Sequence, residues 1–196
     1  MARQVCSLGI ALVAPSYRLA PAHKLHCAYE DALSCLAFVQ AQASSWGLDA
    51  QRILLAGHSA GGHLAALVAL RGMRDQPPSI RACLPISAIL DLHHPAPAPG
   101  SLEKRVYTML LNDPSQDALM SPICWTAGNS IPFELTVGEH DSERVRLGNR
   151  RLHALLQLQT TPSALHLQAG QSHFDTHTSL QNNKHPWYAL LHRYAF

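Results

Sequence analysis

Five short, continuously apolar runs are separated by segments long enough for helices, and this alternation most narrows the possible folds. The strand-length runs are 9–15 ("GIALVAP"), 52–56 ("RILLA"), 81–88 ("RACLPISA"), 131–137 ("IPFELTV") and 163–168 ("SALHLQ"). Helices are expected over 26–46, 60–74, 143–159 and 178–195. In the first of these, Ala32, Leu33, Leu36 and Val39 or Gln40 follow helical spacing, the mark of one buried face. "WGLDAQR" supplies a glycine stop before the next strand. Strands that alternate with helices and are apolar on both faces predict an α/β fold, a mostly parallel sheet with helices on both sides. With 196 residues, 47% hydrophobic, residues 1–196 are expected to form a single domain. Residues 92–125 break the alternation. They are Pro-rich and are expected to be a lid-like insertion facing the substrate.

The most informative stretch is "ILLAGHSAGGHLAALVAL", residues 53–70. It reads G-x-S-x-G at 57–61, with a strand before it and a helix after it, as that motif requires. The flanking glycines are expected to be there because a β-carbon would clash in so sharp a turn. Ser59 is then lifted above the sheet on a strained backbone, over a helix N-terminus that favours a developing oxyanion. A serine needs a base and an orienting acid, and on such a sheet these come from the loops that follow later strands, acid before histidine. "GEHDSE" offers Glu139, Asp141 and Glu143; Asp141 is favoured, three residues past Gly138, while Glu143 suits the start of the next helix. "AGQSHFDTHTS" offers His173 and His177. His173 is favoured as first after the strand, with Phe174 placed to pack its imidazole, and His166 is left within the strand.

Other chemistries find less support. The net charge is +2 and the basic residues are scattered, so no nucleic-acid footprint forms. No GxGxxG or P-loop follows a strand, which argues against a nucleotide-binding domain. Thirteen histidines and five cysteines (Cys6, Cys27, Cys35, Cys83, Cys124) show no zinc spacing, and the adjacent His93-His94 pair lies in a Pro-rich loop. The cysteines are expected to be reduced and mostly buried, with no metal or cofactor required. No run approaches the ~18 apolar residues that span a membrane, and "GIALVA" is too brief for a secretory signal. The expected location is cytoplasmic, with an N-terminal strand.

"SYRLAP", "GHSAGGHLA", "MSP", "VGEHDSE" and "SHFDT" together resemble, in order and spacing, the α/β-hydrolase esterases, in particular kynurenine formamidase (arylformamidase)-like and carboxylesterase-like members. The resemblance runs from about Gly9 to the C-terminus. It implies Ser59 as nucleophile, Asp141 as acid and His173 as base, with the Ala60 backbone N–H as one oxyanion donor. The activity it implies is cleavage of a small carboxylic ester or aryl formamide, with no cofactor and a small-molecule ester or amide as partner. His58, Trp125 and Phe174 are the candidate substrate-binding residues, Trp125 as the end of the insertion. Family members also carry an HGG-type loop, and these 196 residues contain no HGG. The resemblance therefore implies a hydrolase fold lacking its first strands, with a gap between the 9–15 and 52–56 strands and an apolar edge prone to aggregation. The competing readings are a catalytically impaired relative acting as a binding or scaffold protein and a lipase- or peptidase-like hydrolase of the same fold.

Overall fold

The computed structural model describes residues 1–72, 80–93 and 98–196. Its centre is a parallel four-stranded sheet, β1 (Ile53–His58), β2 (Ile80–Ile86), β3 (Phe133–His140) and β4 (Ser163–Ser172), in that spatial order. The helices are α1 (Ala2–Ser7), α2 (Leu25–Gln42), α3 (Ala60–Leu67), α4 (Leu102–Leu110), α5 (Glu143–Leu156), α6 (Asp175–Thr178) and α7 (Trp187–Ala195). α3 runs on into a π turn, Val68–Gly72. Residues 73–74 of the expected 60–74 helix, and His94 with 95–97 of the insertion, lie outside the described residues.

The period-2 alternation of β2 shows how both faces of the sheet are covered. Ala82, Leu84 and Ile86 join Val5 of α1 and Trp187, Tyr188 and Leu191 of α7 in one buried cluster. Cys83 belongs to the other cluster, with α2, α3 and Leu152 and Leu156 of α5. Leu64 to Leu70 are all 8% exposed or less, so α3 and its π turn are apolar all round and run through the core. Each such leucine removed from water contributes roughly 1.5–3 kcal/mol. Part of the 92–125 segment is core as well, since Leu111, Met120 and Ile123 pack in the first cluster.

Several expectations fail, each for a non-local reason. Residues 10–19 form no strand; Leu12 and Val13 are 40% and 46% exposed, and the N-terminal element is a helix. An apolar run becomes a strand only where another strand takes its backbone bonds, and the side of β1 away from β2 carries no neighbour among the described residues. β1 is thus a sheet edge and half-buried, rather than covered like β2. The 10–19 segment is tied down at its end by Arg18, whose guanidinium grips the Asp31 carboxylate of α2 at 2.8–3.0 Å. The expected 178–195 helix is broken into α6, a 3₁₀ turn at Ser179–Gln181 and α7. Pro186 has no N–H to donate and disfavours a helical His185, so the helix restarts after it. Of the cysteines only Cys83 is buried, with Cys6 and Cys124 exposed and all five unpaired.

Candidate active site

Parallel strands deliver their carboxyl ends to one edge of the sheet, and the predicted residues meet there. Ser59 is the single residue between β1 and α3, at φ 54° and ψ −114°, a conformation that non-glycine residues seldom hold. It is held by bonds at both ends of its peptide. Its N–H donates to the Ile86 carbonyl at 2.9 Å and its carbonyl accepts from His63 N–H at 2.9 Å. A β-carbon on Gly57 would collide with the Gly61 backbone, and one on Gly62 would come within 2.8 Å of Ala88 Cβ. Gly61 itself faces open space, so the expected clash at that flank does not exist. The close approaches are made by Gly57 and Gly62.

His173 follows β4 directly, and its Nε2 lies 2.9 Å from Ser59 Oγ. Its Nδ1 lies 2.6 Å from Oδ1 of Asp141, which follows β3. A buried carboxylate draws the ring proton to Nδ1, so Nε2 is left as the acceptor for the serine hydroxyl. Asp141 has a fully buried side chain, and its second oxygen is saturated as well. Oδ2 accepts from Gly138 N–H at 3.0 Å and from the Ser87 hydroxyl at 2.6 Å. A register shift in β3 between Gly138 and His140 carries Asp141 to this place.

The alternative acids and bases have other partners. Glu139 accepts from Gly170 N–H, Glu143 opens α5, and His166 bonds Glu134 in the sheet at 2.6 Å. His177 stacks on His58 with ring centroids 5.1 Å apart. His58 is itself half-buried, and its Nε2–H donates to the His173 carbonyl at 2.8 Å. Burial holds the His58 pKa below the ordinary histidine value, assisted by the positive fields of His173 and His177 and opposed by that hydrogen bond. A neutral His58 adds no charge beside His173. Phe174 meets the His173 ring edge to face at 5.2 Å and is 70% exposed. Trp125 packs over Arg71 and donates from Nε1 to the Leu119 carbonyl. Ala60 is the first residue of α3, where backbone N–H groups have no intrahelical acceptor.

Two residues were missed in the sequence. Ser87, fully buried and at φ 45°, stands immediately beyond β2 and holds Asp141. Thr176, fully buried in α6, places its hydroxyl 2.8 Å from both Ser87 Oγ and the His173 carbonyl. The signal for Ser87 was its position at a strand's carboxyl end, the rule that found Asp141 and His173. Among the described residues no group of three or more His, Cys, Asp or Glu could hold a metal ion, and no helix is long and apolar enough to cross a membrane.

The family described as alpha/beta hydrolase fold matches residues 1–174. Carboxylesterase 20 of Arabidopsis thaliana is 28% identical over 159 residues, which is 76% of this chain and 47% of that protein. The ethyl acetate hydrolase of Pseudomonas putida is 41% identical over 61 residues, 31% of this chain and 19% of that protein. The chain thus spans about half the length, or less, of these curated relatives. Among solved structures, a hyperthermophilic esterase from the archaeon Pyrobaculum calidifontis superposes with a TM-score of 0.86 at 22% identity, over 99% of this chain and 69% of that one. At that identity the likeness is one of fold.

Proposed function

The chain belongs to the alpha/beta hydrolase fold family, and from that premise we propose that it cleaves small carboxylic esters or aryl formamides with Ser59 as nucleophile, His173 as base and Asp141 as orienting acid. The observation that carries this reading is the continuous hydrogen-bond chain from Ser59 Oγ through the His173 ring to Asp141, at 2.9 and 2.6 Å. Both named relatives are ester hydrolases, which favours the ester over the formamide.

In the first step the Ser59 oxygen attacks the substrate carbonyl carbon while its proton passes to His173 Nε2. The carbonyl oxygen becomes an oxyanion, which the Ala60 N–H at the head of α3 stabilises; one such donor contributes roughly 10²–10³ in rate. Collapse breaks the bond to the leaving alcohol or amine, which takes the proton from His173. Water then attacks the acyl-serine with His173 again accepting the proton. The carboxylic acid leaves, and the proton returns to Ser59. Asp141 stays ionised throughout and stabilises the imidazolium. His58 and Phe174 are the side chains proposed to meet the substrate, whereas Trp125 lies over Arg71 at the far end of the helix from Ser59.

The test is covalent labelling with a fluorophosphonate beside a Ser59→Ala control, followed by a panel of p-nitrophenyl esters and N-formyl anilines. Labelling confined to the serine protein, with ester turnover, is the expected result. A folded protein that does not label and does not turn over would sink the proposal in favour of a non-catalytic binding role.

A further inference from the structure

At the far end of the helix that begins after Ser59, a cavity stands apart from the serine. It has a volume of about 240 Å³, and its lining includes Tyr29, Arg71, Asn112, Gln116, Leu119 and Met120. Arg71 lies twelve residues beyond Ser59, roughly 18 Å away at the rise of a helix. It sits in the π turn, a departure from α geometry that recurs at functional sites.

The state of Arg71 is unusual for a half-buried cation. Its guanidinium lies over the Tyr29 ring at 4.8 Å and the Trp125 ring at 5.4 Å. Its hydrogen bond is to the sulfur of Met120 at 3.3 Å, a weak acceptor. Among the described residues no carboxylate lies within ion-pair distance of it. Glu30 lines the same cavity but faces Arg18 at 3.5 Å. Tyr29, 7% exposed as a whole residue, also lines the cavity. A tyrosine and a planar fork of N–H donors therefore border one cavity, and among the described residues the fork bonds only a weak sulfur acceptor.

We propose that this cavity is a binding site for a small carboxylate with an apolar body, held through its oxygens by Arg71 and the Tyr29 hydroxyl. The guanidinium fork matches a carboxylate edge on, with two parallel N–H···O bonds. Asn112 and Gln116 add amide donors, while Leu119 and Met120 receive the apolar part. A cavity of about 150 Å³ already admits benzene, so this one has room for a ring and its carboxylate. Glu30 at the wall disfavours a doubly charged anion such as phosphate, which would also leave Leu119 and Met120 uncovered. The site is independent of the chemistry at Ser59. Carboxylates are nevertheless what ester cleavage releases, so a reaction product is a ligand of the right class.

Isothermal titration with benzoate, benzamide and inorganic phosphate tests this on the whole chain, on Arg71→Lys and on Leu119→Trp. Lysine keeps the charge but loses the fork, and tryptophan fills the cavity from a partly exposed position. The expected result is benzoate binding that weakens about tenfold or more in each variant, with benzamide and phosphate binding markedly weaker than benzoate. A folded Arg71→Lys or Leu119→Trp that binds benzoate as before overturns the proposal. So does equal affinity for benzamide, which would mean an apolar pocket without anion recognition, or no benzoate binding to the unaltered chain. Leu119→Trp keeps the proposal testable if Arg71→Lys fails to fold.

Discussion

Ser87 offers a perturbation in which a side-chain effect and a backbone effect have opposite signs. Its hydroxyl donates to a fully buried carboxylate oxygen of Asp141 at 2.6 Å, and nothing at that depth can replace it with water. A hydrogen bond to a charged group contributes about 1.5–3 kcal/mol, so Ser87→Ala should destabilise the fold by about 2 kcal/mol. With a urea m-value of about 2 kcal/mol/M, the unfolding midpoint falls by about 1 M. Ser87→Gly loses the same bond but sits at φ 45°, where an L side chain costs about 1–2 kcal/mol and glycine almost nothing. Glycine's larger unfolded-state entropy returns roughly half of that gain, so Ser87→Gly should be more stable than Ser87→Ala by up to about 1 kcal/mol. Fluorophosphonate labelling of Ser59 should slow alike in both variants, because both leave Asp141 Oδ2 with the Gly138 N–H as its one remaining donor and loosen its hold on His173. Urea titration and labelling rate, measured on the same two proteins, separate the effects. A glycine variant less stable than the alanine one would refute the strain argument. Unchanged labelling in both would refute the role of the hydroxyl.

His63 is buried, donates from Nδ1 to the Ile89 carbonyl at 2.6 Å, and buries Nε2 without a partner. Burial pushes its pKa down to about 4. The unfolded chain therefore binds the extra proton first, so stability is complete above about pH 6.5 and is lost as pH falls toward 4, by about 3 kcal/mol from this residue. His63→Asn keeps a donor without titrating, and its urea midpoint should fall less over that range; parallel pH profiles for the two proteins would count against this. Glu134, buried in β3, accepts from His166 Nε2 at 2.6 Å and from the Tyr194 hydroxyl of α7 at 2.7 Å. Glu134→Gln replaces one acceptor with a donor and should lower stability by about 2 kcal/mol, about 4–8 °C in Tm. Tyr194→Phe should cost about half as much, and a larger loss from Tyr194→Phe than from Glu134→Gln would refute the carboxylate as the centre of the network.

The sequence by itself determined what is local. The G-H-S-A-G turn at 57–61 was legible because its sterics involve Gly57, Ser59 and their near neighbours, and a strand and a helix flank it within a few residues. Strand–helix alternation determined the parallel sheet, and the parallel sheet determined that Ser59, Asp141 and His173 would arrive at one edge. Only the tertiary structure decided what depends on partners distant along the chain. "GIALVAP" has the composition of a strand but finds no strand to pair with among the described residues, and of the cysteines only Cys83 is buried. The placing of Asp141 beside His173 required the register shift in β3 and the hydroxyls of Ser87 and Thr176, from two other elements. Arg71 and Tyr29 reach one cavity from separate helical elements. Turn sterics and periodicity are settled within a few residues, whereas backbone pairing, burial and charge are settled by whichever groups the fold brings near.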